Sequence, residues 1–323
     1  TILAERAATA AGADPNTPSP LVITAISDSV VIAATGNGDR TLTNLILGLL
    51  IGFAFGVGYA FFRASRDHTI RNPHQLFTVT DTPPIGVITV QQSLVNTPWV
   101  ALNTRDPDGD GYRTLRSNLL FGSPHSHTLV ITSPVGGDGK LTLAVNLAIA
   151  FSQVGKRVVL VESDLRQPRL TAALGLDGAK GLAEVLDQQL PIDQALQSWP
   201  AGSTLESGSV TVLGAGSPAA NPAELLSSEK YAAALTELRS TYDYVICLSG
   251  PILDAPEAAV VAKQSDGALV VARLTKTTTT QLAAAATALI QVQTPIAGLV
   301  ITAVPAGEAI KWAVFPSSAP AEV

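Results

Sequence analysis

Two kinds of apolar pattern divide this chain. No charged residue occurs between Arg40 and Arg63, and residues 45–62 read LILGLLIGFAFGVGYAFF. At a rise of about 1.5 Å per residue that stretch covers about 27 Å, close to the ~30 Å hydrocarbon core of a bilayer. The pattern predicts one transmembrane helix over residues 41–62. Further along, short apolar, β-branched runs alternate with helical periods. Strands are expected at 128–132, 157–161, 210–213, 244–248, 268–273 and 297–304, and helices at 140–154, 223–240, 256–264 and 279–292. Near-continuous apolar strands separated by helices predict an α/β fold, a parallel sheet with helices on both faces.

Gly48, Gly52 and Gly56 recur every fourth residue of the apolar stretch and put small side chains on one helix face, where a second helix can approach. Arg63, Arg66 and Arg71 follow the stretch, while Arg40 alone flanks its other side. By the positive-inside rule the C-terminal side is expected in the cytoplasm. The expected organisation is an extracytoplasmic segment (1–40), the transmembrane helix (41–62), a juxtamembrane linker with the turn pair Pro83-Pro84 (63–105), an α/β domain (106–305) and a tail (306–323). Short β-prone runs at 21–26 and 30–33 follow a Pro-containing stretch at 14–20.

Composition narrows this picture. Hydrophobic residues make up 46% and charged residues 14%, against about 25% charged in an ordinary soluble domain, which excludes disorder. Twenty Lys+Arg against 26 Asp+Glu give a net charge of −6, so no basic field invites nucleic acid. A single cysteine, Cys247, excludes an intramolecular disulfide framework and reads as a buried small hydrophobe in an apolar strand. The chain has no Met and opens on Thr1, which reads as a processed chain or a piece of a longer one.

The strand expected at 128–132 runs into SPVGGDGKLT, with a helix after it. Strand, Gly-rich turn, Lys and helix are the context a phosphate-binding loop requires. The backbone N–H groups of the turn, with Gly136, Gly137 and Gly139, can hold phosphate oxygens, and Lys140 can reach the β and γ phosphates. Two further strands end beside it, in RVVLVESDLRQPR (157–169) and YDYVICLSGP (242–251).

With these segments, YRTLRSNLL (112–120), NLAIAFSQV (146–154), NPAELLSS (221–228) and SDGALVVAR (265–273), the region 110–304 resembles the bacterial tyrosine autokinase domain, a branch of the P-loop ATPases. The stretches 14–20, 48–60 and 63–72 and the motif PIGVI at 84–88 resemble, in order, the C-terminal part of the chain-length determinants, or polysaccharide co-polymerases, often fused to that kinase. The resemblance implies ATP or ADP as ligand, with Thr142 beside the α-phosphate, and carboxylates of the second acidic motif, here Glu162 and Asp164, as catalytic groups. It also implies a homo-oligomer in the plasma membrane that works with polysaccharide polymerase or export machinery, and no nucleic acid. In the family's ring-forming motif, Glu-x-x-Arg-x-x-Arg, the matching residues are Asp110, Arg113 and Arg116.

Several positions depart from the family. The hydroxyl that follows the loop lysine and binds Mg²⁺ is replaced by Leu141, and Thr142 lies about 100° further round the helix. The family's Asp-x-Asp is Glu162-Ser163-Asp164. The third-motif aspartate is missing, with Leu248-Ser249-Gly250-Pro251 in its place. All five tyrosines (Tyr59, Tyr112, Tyr231, Tyr242 and Tyr244) precede the tail, where the family carries its own tyrosine substrates. These departures argue against Mg²⁺ and predict no metal ligands. The expected function is a co-polymerase-like membrane protein that regulates chain length or export of a surface polysaccharide, with a pseudo-kinase domain. The alternative is an active tyrosine autokinase. A partition-type ATPase would need a further lysine near the start of its phosphate loop, and none lies between Arg116 and Lys140. A calcium loop suggested by DPDGDG (106–111) fails at its twelfth position, Ser117, where a bidentate Glu is needed.

Overall fold

The computed structural model describes residues 38–65, 68–72, 75–76, 84–90, 99–102, 107–122, 127–200, 209–309 and 312. The runs expected at 14–20, 21–26 and 30–33 lie outside them. The chain divides into two units, 1–62 and 63–323. In the first, helix α1 (Gly38–Ser65) contains the window Leu42–Tyr59, of mean hydropathy 1.8 and with none of it buried, long and apolar enough to cross a membrane. A Cβ built on Gly48, Gly52 or Gly56 would meet nothing within 4 Å.

The second unit is built on an eight-stranded sheet in the order β1-β8-β7-β2-β6-β3-β5-β4. Its strands are β1 (Pro84–Thr89), β2 (Thr128–Thr132), β3 (Val158–Glu162), β4 (Leu196–Pro200), β5 (Ser209–Leu213), β6 (Tyr244–Leu248), β7 (Gly267–Arg273) and β8 (Ile296–Val304). All neighbours pair parallel except the edge pair β4–β5. Successive side chains of a strand point to opposite faces. Thus Leu129, Ile131, Leu160 and Ile246 join one buried cluster, and Val130, Val159, Val161, Val245 and Cys247 join the other.

Helices α2 (Asp110–Gly122), α3 (Lys140–Ser152) and α4 (Leu170–Leu174) supply the first cluster. The second is supplied by α5 (Leu182–Leu186), α6 (Ile192–Ala195), α7 (Pro222–Ser227), α8 (Glu229–Thr241), α9 (Pro256–Lys263) and α10 (Thr279–Gln291). Helix α3 is the most enclosed, with residues 143–152 all buried. The single helix expected at 223–240 breaks at Ser228, whose backbone is extended and whose hydroxyl donates to the Leu225 carbonyl at 2.6 Å.

The stretch expected as a linker is part of this unit. Pro84 opens the edge strand β1, a position where its missing N–H costs no ladder bond, and β1 pairs with β8. Ile70, Leu76 and Ala101 are fully buried, and Trp99 meets Trp199 of β4 edge-on at 6.3 Å. Residues 68–70 lie against the turn between β7 and α10. Ile70 N donates to Thr277 O at 2.9 Å, Thr275 N to Ile70 O at 3.0 Å and Thr279 N to His68 O at 2.9 Å. From the stretch expected as a tail, Trp312 is 1% exposed and belongs to the core.

Helix α2 sits hard against β1, and a Cβ on Gly111 would lie 2.6 Å from the Val87 carbonyl oxygen. Gly111→Ala is therefore expected to cost about 1–3 kcal/mol as overpacking against backbone. Gly122→Ala, with nothing within 4 Å, is expected to be neutral or slightly stabilising. Thermal melts of the two variants check this.

Candidate functional site

Strand β2 ends at the sheet's centre, and residues 133–139 turn from it into α3. Gly137 (φ 82°) and Gly139 (φ 94°) take the left-handed region that side-chain-bearing residues avoid, which turns the backbone into a cradle. Lys140 Nζ donates to Ser133 Oγ at 3.1 Å, and that hydroxyl donates to Val135 O at 2.6 Å. Burial holds the Lys140 ammonium below its ordinary pKa, while the charges of Asp164, Asp138 and Asp254 pull it back up.

The loop is clamped by the end of β7, the turn between β7 and α10, and Thr302 of β8. Thr277 Oγ1 donates to Asp138 Oδ2 at 3.1 Å, Thr302 Oγ1 donates to Asp138 O at 2.8 Å, and Lys276 Nζ lies 3.5 Å from Asp138 Oδ1. Lys276 also donates to Gly136 O, and Arg273 Nη1 to Gly137 O at 3.4 Å. Asp138 is fully buried, and burial raises its pKa against these favourable contacts. None of the clamp residues was among the expected site residues. The order β2-β7-β8 in the sheet brings them to the loop, and no local motif announces it.

A cavity of about 290 Å³ opens over the loop. It brings together the expected residues Gly136, Gly137, Gly139, Lys140, Thr142, Glu162 and Asp164, and adds Arg169 and Arg273. Glu162, at the end of β3, is 1% exposed. Its Oε1 accepts from the backbone N–H groups of Arg169 and of Leu170, the latter at 2.6 Å. Burial raises its pKa, and those backbone bonds partly offset the rise. Asp164 Oδ1 accepts from Gln167 N at 3.0 Å.

Leu141 and Leu248 line the same cavity and belong to one apolar cluster. Among the described residues no group of three His, Cys, Asp or Glu side chains could hold a metal ion. The cradle and its half-buried lysine suit the phosphates of a nucleotide. The donor set fits Mg²⁺ poorly, since that ion demands near-octahedral oxygen ligands: Leu141 and Leu248 offer it none, and one Glu162 oxygen, Oε1, is held by backbone amides, which leaves Oε2 and Asp164 as the carboxylate oxygens at the cavity.

The expected interface residues find partners within one copy. Asp110 Oδ1 accepts from Arg113 Nη2 at 2.7 Å, and Arg116 Nη1 donates to Ala150 O at 3.1 Å, tying α2 to α3. Tyr112, Tyr231 and Tyr244 are buried, while Tyr59 is exposed on α1. The Tyr231 hydroxyl meets Ser163 Oγ at 3.0 Å and Cys247 Sγ at 3.7 Å. Cys247 is buried as expected, and burial pushes its thiol up to about 11.

A family model described as an AAA domain matches residues 126–296. The tyrosine-protein kinase YwqD of Bacillus subtilis is 35% identical over 196 residues, 60% of this chain and 80% of that protein. The tyrosine-protein kinase ptk of Acinetobacter johnsonii is 27% identical over 265 residues, 78% of this chain but 35% of that protein. The BceF tyrosine kinase domain superposes with a TM-score of 0.64 at 26% identity, over 73% of this chain and all of that one. The kinase domain of Escherichia coli ETK gives 0.66 at 22% identity, covering 79% and 98%, a likeness of fold.

Removing the donor to a buried carboxylate leaves it short of a partner, so Thr277→Val is expected to cost about 1–3 kcal/mol in a thermal melt. Glu162 tests the site through pH. A carboxyl whose folded pKa lies above the unfolded value of about 4.3 penalises the fold increasingly as pH rises through the folded value. Glu162→Gln keeps the accepting oxygen and is expected to melt higher than the parent at about pH 7.5, with that gain gone at about pH 4. An equal offset at both would contradict the assignment.

Proposed function

The chain belongs to the AAA-domain family of P-loop proteins, in company with bacterial tyrosine-protein kinases, and on that premise we propose that it is a co-polymerase-like membrane protein with a pseudo-kinase domain. In this reading α1 spans the plasma membrane, the P-loop domain lies in the cytoplasm, and the protein regulates the chain length or export of a surface polysaccharide. Its partners are further copies of itself and the polymerase or export machinery. Gly48, Gly52 and Gly56 serve packing between membrane helices, and Asp110, Arg113 and Arg116 face a neighbouring subunit. ATP or ADP is held by Gly136, Gly137, Gly139, Lys140 and Thr142.

One observation carries the loss of catalysis. Leu141 and Leu248 line the cavity where the resemblance would place metal-binding oxygens, and Glu162, which the resemblance would make the base, has one oxygen held by two backbone amides. Phosphoryl transfer is achieved almost wholly by positioning and by neutralising charge on the phosphates. Without a metal seat and with the base displaced, the loop can hold a nucleotide and leave it intact. Small misplacements of a reacting group alone can lower rates about 100-fold.

The test uses the full chain in detergent with ATP and Mg²⁺, following phosphate release and phosphotyrosine by mass spectrometry. Turnover is expected no higher than in Lys140→Met, with no phosphotyrosine. Phosphotyrosine that depends on Lys140 would establish the alternative, an active autokinase.

A further inference from the structure

The phosphates of a bound nucleotide carry several negative charges, which the cavity that holds them must balance. Leu141 and Leu248 of its lining offer no oxygen to a cation, so we look to charged side chains for the balance. Three cations line the cavity: Lys140, Arg169 and Arg273. Against them stand Asp164 and Glu162, and burial shifts Glu162 towards its neutral form. The cavity therefore presents an excess of positive charge with no ion added.

The two arginines suit this task. Arg273 ends β7 next to the loop, with its guanidinium at Gly137 O and otherwise exposed. Arg169 follows the second acidic motif, and its side chain is exposed at the cavity's rim. Guanidinium groups bind phosphate oxygens through paired, charge-assisted hydrogen bonds and keep their charge at any physiological pH. Lys276 is differently placed, because its ammonium is committed to Gly136 O and Asp138 on the outer side of the loop.

We propose that the cavity binds a nucleoside di- or triphosphate without a divalent cation, and that Arg273 and Arg169 supply the counter-charge at the phosphates. This rests on the reading of the loop as a nucleotide site and is independent of whether catalysis is lost.

Calorimetric titration of ADP into the full chain in detergent, in EDTA and in Mg²⁺, tests it. Binding is expected at least as tight in EDTA as in Mg²⁺. Arg273→Gln and Arg169→Gln are each expected to weaken it about tenfold or more, the scale of one charged hydrogen bond, and Arg273→Lys to weaken it less. Thermal melts show whether each variant is folded, and a misfolded Arg273→Gln leaves Arg273→Lys and Arg169→Gln to decide. Tenfold or tighter binding in Mg²⁺, or parental affinity in the folded arginine variants, would overturn the proposal. Absence of binding in both buffers would overturn it together with the nucleotide reading. Phosphotyrosine in the turnover assay would remove only the pseudo-kinase reading.

Discussion

A half-buried ammonium at the mouth of the most enclosed helix is the constraint around which this domain is arranged. Lys140 stands where β2 meets α3, and removing a charge from water is costly unless neighbours compensate. The compensation comes from three directions. The Ser133 hydroxyl accepts from it directly, and the charges of Asp164 and Asp138 act on it as well. Asp138 is itself buried and in turn needs Thr277, Thr302 and Lys276. One cation thus fixes the conformation of the loop and of the β7–α10 turn beside it.

The same turn receives residues 68–70, which follow α1 closely in the sequence. The stretch after the apolar helix is therefore structural: it buries Ile70, borders the turn that clamps the loop, and goes on to add the edge strand β1. The domain begins earlier in the chain than its phosphate-loop motif suggests.

Much of this was legible in the sequence. The strands at 128–132 and 244–248 and the start of α3 were readable because each is an apolar run bounded by turn chemistry, and the loop residues from Gly136 to Thr142 because a Gly-rich turn that ends in Lys between a strand and a helix is a spacing suited to phosphate. The second acidic motif was legible as a pair of carboxylates at a strand end. Strand β1 was missed because Pro83-Pro84 reads as a turn until a partner strand is known, and β4 because an antiparallel edge ending in Trp199-Pro200 lacks a β-branched run. The clamp at Arg273, Lys276 and Thr277 was invisible for a different reason. It depends on which strands become neighbours, and β2 and β7 are far apart in the chain. The bonds from the amides of Arg169 and Leu170 to Glu162 likewise depend on the turn after β3.

The account reduces to one claim about chemistry: the cavity over the loop accepts phosphate and offers a divalent cation no seat. A crystal of the full chain grown with ADP and Mn²⁺, measured at the manganese absorption edge, tests it most directly. The account predicts nucleotide density over the loop and no anomalous peak within coordination distance of Glu162 or Asp164, a distance of about 2.0–2.4 Å. An anomalous peak there, bridging either carboxylate to the phosphates, would contradict it.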